Sequence, residues 1–198
     1  MIDVFVRAMP QTRLREWLLR AVLERVALEV EPENRWVIAP KGSPIRFKGW
    51  QVARVPAEDF HRQSKHLAAR LSITNSLIIL DDDQLPLYRG WVAKAQEIFK
   101  KVPEFSAVAG WSVTHEVPKP KGEVEFCDSI GCPMIVSLVA LLMATDHPID
   151  DKARADTILT KRLRRFGPTG IARDWRYVHA GIGLSQVIPQ HWMPEVPA

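Results

Sequence analysis

Short apolar segments alternate with longer segments of helical period in the first half of the chain. Residues 2–8 are rich in β-branched and aromatic side chains and precede Pro10, which predicts a buried strand. Residues 13–28 repeat apolar side chains near the helical period, which predicts a helix with Thr12 as its N-cap. The other elements predicted here are strands at 36–39, 50–55 and 76–80 and a helix at 58–71. This alternation is typical of a doubly wound, mostly parallel α/β sheet.

The second half of the chain has a less regular pattern. The elements predicted there are a helix at 87–101 opened by Pro86, a strand at 106–113, a loop or β-excursion at 114–128, a buried helix at 134–145, an amphipathic helix at 151–166 ended by Gly167, and a strand at 174–178. No internal repeat, low-complexity segment or linker divides the sequence. We therefore expect a single α/β domain over residues 1–198.

The composition is that of an ordinary globular protein, with 46% hydrophobic and 25% charged residues. The net charge of +4 would attract an anionic ligand such as a nucleotide diphosphate. The basic residues form no patch interleaved with aromatic residues, so a nucleic-acid partner is disfavoured. The chain begins directly with a strand pattern, and its longest apolar run, 134–144, is too short to span a bilayer. We expect a cytoplasmic protein without a transmembrane segment.

Two cysteines, Cys127 and Cys132, stand in Cys-x4-Cys spacing and leave three interpretations open. Two free thiols are the favoured one. A local disulfide would require an oxidising compartment or a hyperthermophilic host. A zinc site would require two further ligands at suitable spacing, and none is evident.

The acidic triplet Asp81-Asp82-Asp83 is the clearest candidate for a functional site in the sequence. It follows the apolar run 77–80, and ligands of open α/β sheets bind at the carboxyl ends of strands. Alternate side chains of an extended chain share a direction, so Asp81 and Asp83 are expected to face one side and Asp82 another. Two carboxylates on one side suit Mg²⁺ or Mn²⁺, with a diphosphate supplying further ligands. The alternative is a surface turn whose Asp83 favours the positive end of the next helix.

With its preceding strand, the triplet resembles the Asp-x-Asp motif of GT-A fold glycosyltransferases, most closely the family-2-like nucleotide-sugar transferases. That family carries an Arg-Asn pair on the preceding helix, where this chain has Lys65-His66. The family's second signature, Glu-Asp-x-x-Leu-x-x-Arg-Leu-x-x-x-Gly, resembles residues 155–167 (ADTILTKRLRRFG), in which Ala155 replaces the glutamate. A third likeness is a histidine after a late strand, here His179.

The resemblance implies a single GT-A, Rossmann-like domain with a nucleotide-binding half at 1–83 and an acceptor and catalytic half at 84–198. It implies transfer of a sugar from a UDP- or GDP-linked donor to a hydroxyl of a glycan, protein or lipid, with inversion. It assigns the role of general base to Asp156 and the binding of Mn²⁺ or Mg²⁺ to Asp83 and His179, with Asp81 on the metal or the ribose.

Each further candidate also has a structural interpretation. Lys65 keeps a cation that would meet phosphate where the family has arginine. Arg7, at the end of the first strand, is expected near the nucleobase or in a surface salt bridge. Arg162 would meet phosphate or pair with acidic residues of its own helix. Asp156 also fits a solvated position on a charged helix, and His179 fits a hydrogen-bonded structural histidine.

Two other functional classes remain open at this level. A nucleotidyltransferase would share the nucleotide-binding sheet and the carboxylate-bound metal, but the segment 8–12 after the first strand supplies no glycine-rich phosphate loop. A non-catalytic nucleotide-binding protein is also consistent with the replaced glutamate at Ala155. Binding without turnover would distinguish that class.

Overall fold

The computed structural model describes residues 1–8, 13–43, 48–114, 118–149 and 155–180, and statements about its structure refer to these residues. The strands are β1 (Asp3–Arg7), β2 (Arg35–Pro40), β3 (Gln51–Val55), β4 (Ser76–Asp81), β5 (Gln84–Pro86), β6 (Ala107–Ser112), β7 (Val124–Phe126), β8 (Met134–Ser137) and β9 (Thr169–His179). The helices are α1 (Arg13–Ala27), α2 (Phe60–Leu71), α3 (Trp91–Lys101), α4 (Leu138–Ala144) and α5 (Ala155–Leu163). Short 3₁₀ turns occupy Pro32–Asn34 and Ala57–Asp59.

The described strands form one nine-stranded sheet in the order β3-β2-β1-β4-β8-β6-β9-β5, with β7 paired to β9 outside this path. The pairs among β3, β2, β1 and β4 are parallel, as is β6 with β9. Only β5, β7 and β8 of these strands run in the opposite direction. The predicted fold class, an open and mostly parallel α/β sheet of the GT-A, Rossmann-like type, is confirmed.

Alternating side chains of the central strands build a core on each face of the sheet. In β1, Val4 and Val6 join the apolar cluster that includes α1 and α3, whereas Phe5 joins the cluster that includes α2, α4 and α5. In β4, Ile78 and Leu80 face the first cluster and Leu77 and Ile79 the second. Strands buried on both faces read as continuous apolar runs, which explains why these segments were recognisable in the sequence. The result is a sheet between two helical layers.

Two predicted helices are wrong in part. Residues 134–145 were expected to be one buried helix, but Met134–Ser137 form β8 and the helix α4 begins only at Leu138. A fully buried strand and a buried helix have the same apolar run, and here the β-branched Ile135 and Val136 pair with both β4 and β6. Pro86 does not open a helix at residue 87. It lies in β5, at the end of the main strand order, and α3 begins at Trp91.

The last strand is longer than the predicted range 174–178. β9 runs from Thr169 to His179, and its pairing with β6 shifts between Gly110 and Trp111, which leaves residues 173–175 in a bulge. Within the predicted excursion 114–128, Val124–Phe126 form β7. The predicted cap Thr12 and residues 151–154 of the predicted last helix lie outside the described residues.

Two further expectations have structural counterparts. Cys127 is half-buried, Cys132 is buried, and both are free thiols, as favoured from the sequence. Burial raises the pKa of the Cys132 thiol to about 12. In the described part of the chain, no helix combines the length and the apolar character needed to cross a bilayer.

Candidate active site

A cleft of about 290 Å³ opens at the carboxyl ends of β1 and β4. Its walls come from the ends of these strands, from α1, α2 and α5, and from the end of β9. Its lining residues are Arg7, Arg15, Phe60, His61, Lys65, Asp81, Asp82, Asp83, Ala155, Asp156, Thr157 and His179. The cleft lies where open α/β sheets bind their ligands. It collects six of the seven residues singled out from the sequence, and only Arg162 is missing.

Arg7 and Asp81 form an ion pair across the two central strands. They are register partners in the parallel pair β1–β4, and Arg7 Nη1 lies 2.8 Å from Asp81 Oδ1. Arg7 is buried, and its Nε donates to Ser64 Oγ at 2.8 Å. Although burial opposes it, the Asp81 carboxylate raises the pKa of Arg7 above its ordinary value. Arg7 therefore stays a fixed cation at the base of the cleft.

The acidic triplet is a turn and not an extended segment. β4 ends at Asp81, Asp82 and Asp83 form the turn, and β5 begins at Gln84. Because the chain turns here, strand alternation does not apply, and the expectation that Asp82 points away is wrong. Asp82 and Asp83 are buried, with 2% and 3% of their surface exposed, and both line the cleft.

Arg15 of α1 joins the two buried carboxylates. Its Nη1 lies 2.8 Å from Asp82 Oδ1, and its Nη2 lies 2.7 Å from Asp83 Oδ2. Sequence inspection did not single out Arg15, since it is one of several arginines on a helix of ordinary amphipathic pattern. Its partners are 67 and 68 residues away along the chain, so no local motif marks the contact.

Pairing of two strands places His179 beside Asp83. His179 is the register partner of Gln84 in the antiparallel pair β5–β9, and the amide of Ala180 donates to the carbonyl of Asp83 at 2.8 Å. His179 Nε2 consequently lies 3.4 Å from Asp83 Oδ2. Although burial opposes both shifts, this contact lowers the pKa of Asp83 and raises that of His179.

Asp156, at the start of α5, faces Lys65 of α2 across the cleft. Lys65 is buried, and its Nζ lies 2.6 Å from Asp156 Oδ1, whereas the Asp156 side chain is 52% exposed. Burial opposes ionisation, but Lys65, together with Arg7 and His61, lowers the pKa of Asp156 below its ordinary value. The second oxygen, Oδ2, lies 3.1 Å from where a Cβ on Gly131 would be, so a side chain there would crowd it.

The remaining candidates lie outside this cleft. Arg162 donates to the carbonyl oxygens of Ala144, His147 and Pro148, and so joins α5 to the segment after α4. His66 does not line the cleft, and its Nδ1 lies 3.1 Å from Thr145 Oγ1. His61, for which no role was expected from its sequence setting, does line it.

The donor set of the cleft suits a small divalent cation at one place. Asp83 Oδ2 and His179 Nε2 are 3.4 Å apart, close to the roughly 3 Å between neighbouring ligand atoms of a small octahedral ion. The described residues contain no group of three His, Cys, Asp or Glu side chains arranged around one ion. Asp81 Oδ1 faces Arg7, and the binding of a metal by Asp81, Asp83 and His179 stays a prediction.

Comparison with known proteins finds structures of similar fold but no sequence family. No protein-family model and no curated protein matches the chain. The solved structure of S. aureus TarS 1-349 superposes with a TM-score of 0.66 and 12% identity over 89% of this chain and 59% of that one. Its complex with UDP-GlcNAc superposes with a TM-score of 0.64 and 12% identity, over 96% of this chain and 63% of that one. Its complex with UDP superposes with a TM-score of 0.65 and 12% identity, over 89% of this chain and 59% of that one. This likeness establishes the fold, and the chain spans about three-fifths of these TarS chains.

Proposed function

We propose that this protein transfers a sugar from a nucleoside-diphosphate sugar to an acceptor hydroxyl. The observation that carries the proposal is the cleft itself. At the carboxyl ends of a GT-A sheet, it brings buried Arg7 and Lys65, the acidic turn, His179 and the half-exposed Asp156 around one volume. The structurally similar TarS has been solved with UDP and with UDP-GlcNAc, which makes a UDP-linked donor the first to test and a GDP-linked donor the second.

The charge of the cleft supports a divalent cation, Mn²⁺ or Mg²⁺. Three permanent cations line it against four carboxylates, so one negative charge is in excess before the two histidines are counted. A diphosphate entering such a cleft needs additional positive charge. We assign Asp83 and His179 as the protein ligands of this cation, with the diphosphate completing its coordination. When bound, the cation supplies stabilisation of the charge that develops on the leaving diphosphate.

The nucleoside end is assigned to Arg7 and Asp81. The Asp81 side chain is 33% exposed and shares only Oδ1 with Arg7 in the ion pair, so its carboxylate remains accessible to a ribose hydroxyl. Phe60 lies under the Arg7 guanidinium, with 5.7 Å between the centroid of its ring and Arg7 Cζ. It contributes apolar surface at the same end of the cleft.

The reacting end is assigned to Asp156. Its lowered pKa keeps the carboxylate ionised at neutral pH, and Lys65 fixes Oδ1 while half of the side chain faces the cleft and solvent. Asp156 would accept the proton of the acceptor hydroxyl as that oxygen attacks the anomeric carbon. A single displacement of this kind inverts the anomeric centre.

Calorimetric titration with UDP and with GDP, each with and without Mn²⁺, tests the binding half of the proposal. We expect Mn²⁺-dependent binding of one nucleotide, lost in Asp83→Asn and retained in Asp146→Asn, which changes an exposed aspartate outside the cleft. Equal binding by the wild type and Asp83→Asn would remove the metal assignment.

Release of UDP from UDP-GlcNAc in water tests the chemical half without knowledge of the acceptor. Asp156→Asn should keep nucleotide affinity and lose turnover by about 10²–10⁴-fold. Full turnover in that variant would exclude Asp156 as the base. Tight binding of UDP without turnover of any donor or acceptor would favour a non-catalytic nucleotide-binding protein.

A further inference from the structure

The contact between Arg15 and the acidic turn has the geometry of an exchangeable pair. Each terminal nitrogen of the guanidinium contacts a different carboxylate, Asp82 at 2.8 Å and Asp83 at 2.7 Å. The two carboxylates are almost fully buried, whereas 37% of the Arg15 side chain is exposed at the cleft. The anions are thus fixed by the fold, and the cation reaches them from the open side on a long side chain.

The same oxygen of Asp83 serves two partners. Asp83 Oδ2 is 2.7 Å from Arg15 Nη2 and 3.4 Å from His179 Nε2. A divalent cation held by Asp83 and His179 would bind at this oxygen and would repel the guanidinium beside it. Binding of the cation at Asp83 Oδ2 would therefore weaken the contact of this oxygen with Arg15 Nη2.

The displaced guanidinium has a destination within the cleft. Arg15 lines the same volume as Asp83 and His179, beside which the proposed function places the diphosphate. A guanidinium binds phosphate oxygens through paired hydrogen bonds, which suits it to that ligand. One rotation of the side chain would therefore exchange a carboxylate partner for a phosphate partner.

We propose that Arg15 is a switching cation: it neutralises Asp82 and Asp83 before the donor binds, releases Asp83 to the divalent cation, and then contacts the diphosphate of the donor. The inference rests on the proposed function, because it needs a metal and a diphosphate in this cleft. It assigns Arg15 two opposite effects. Arg15 competes with the metal when no nucleotide is bound, and it supports the nucleotide when the metal is bound.

The switching role predicts that removing Arg15 changes metal affinity and nucleotide affinity in opposite directions. A merely structural role would not produce that result. In Arg15→Ala, calorimetry without nucleotide should show Mn²⁺ affinity increased on the order of tenfold. At saturating Mn²⁺, UDP affinity should fall on the order of tenfold. Arg15→Lys should give intermediate values for both, since an ammonium group cannot bridge two carboxylates as a guanidinium does. Arg20→Ala is the matched control, an exposed arginine of the same helix that pairs with Glu16, and should change neither affinity.

The outcomes separate this inference from the proposed function. Wild-type protein that binds no nucleotide with Mn²⁺ contradicts both. The switching cation is refuted if the wild-type protein binds UDP with Mn²⁺ but the Mn²⁺ and UDP affinities of Arg15→Ala fall together or do not change. The proposed function then still stands. Circular dichroism of each variant verifies that the fold is retained, and Arg15→Lys provides the same comparison if Arg15→Ala does not fold.

Discussion

Gln84 holds the acidic turn in place, and its replacement by leucine should destabilise the protein measurably. Gln84 is 3% exposed, and its Oε1 accepts the amide of Asp81 at 2.8 Å. Its Nε2 donates to the carbonyl of Cys132 on the neighbouring segment. One side chain thus fixes the start of the turn to the segment that precedes β8. Leucine has a similar volume but makes neither hydrogen bond.

The magnitude follows from the two partners that Gln84→Leu leaves behind. A buried donor or acceptor without a partner costs about 1–3 kcal/mol, so the pair costs about 2–6 kcal/mol. Burial of the leucine side chain recovers about 1–2 kcal/mol of this. The centres of these ranges give a net loss in the free energy of unfolding of about 2.5 kcal/mol. For a protein of this size each kcal/mol shifts Tm by about 2–4 °C, so Tm should fall on the order of 10 °C.

Thermal unfolding of Gln84→Leu beside Gln63→Leu measures this effect. Gln63 is exposed on α2, and its Nε2 contacts Asp59 at 2.9 Å, so the same substitution there should stay within about 0.5 kcal/mol. Mn²⁺-dependent UDP binding should also weaken in Gln84→Leu, because the turn presents Asp83. Since each kcal/mol corresponds to about 2–4 °C, a Tm of Gln84→Leu within 2 °C of the Tm of Gln63→Leu would refute the reasoning.

Two further predictions concern buried charge. Asp3→Ala should lower the free energy of unfolding by about 3–5 kcal/mol in urea titration, because the buried carboxylate accepts hydrogen bonds from Asn34 and from the segment 72–74. Lys65→Met should raise the pKa of Asp156, because Lys65 lowers it and burial alone raises it. A carbon-13 NMR titration should then show the Asp156 carboxylate protonating at a higher pH than in the wild type.

Each of these has a result that would contradict it. Asp3→Ala should be compared with Asp146→Ala, an exposed aspartate, and equal stability of the two variants would mean that the Asp3 network contributes nothing. For Lys65→Met, an Asp156 titration midpoint that stays in place or moves to lower pH would mean that the 2.6 Å contact does not set its ionisation.

The central strands were predictable because burial on both faces leaves a continuous apolar run. β1 and β4 were recognised within one or two residues, and the acidic residues at the end of β4 indicated the ligand-binding edge. The same kind of apolar run that made the prediction of β4 succeed made the prediction at β8 fail. An uninterrupted apolar run shows burial, but its length and period do not distinguish a strand that continues into a helix from one long helix.

The partners of the acidic residues were not predictable from the sequence. Lys65 and Asp156 are 91 residues apart, and Arg15 and Asp83 are 68 apart, so each contact depends on where the fold places two helices. Even the local geometry of the triplet depended on such a contact. The strand alternation expected for residues 81–83 ends at a turn, because Gln84 pairs with His179 and begins a new strand.

All four carboxylates of the cleft are already paired with cations: Asp81 with Arg7, Asp82 and Asp83 with Arg15, and Asp156 with Lys65. These pairs neutralise groups that would otherwise be costly to bury, but they also occupy the cations that a diphosphate would need. Nucleotide alone must compete with carboxylates for Arg15 and Lys65, and metal alone must compete with Arg15 for Asp83. In the proposed switch the metal would take the carboxylate and free the cation for the phosphate, so each ligand should strengthen the binding of the other by the same factor. On the proposed function, a nucleotide–metal complex should therefore bind this cleft more tightly than either component alone.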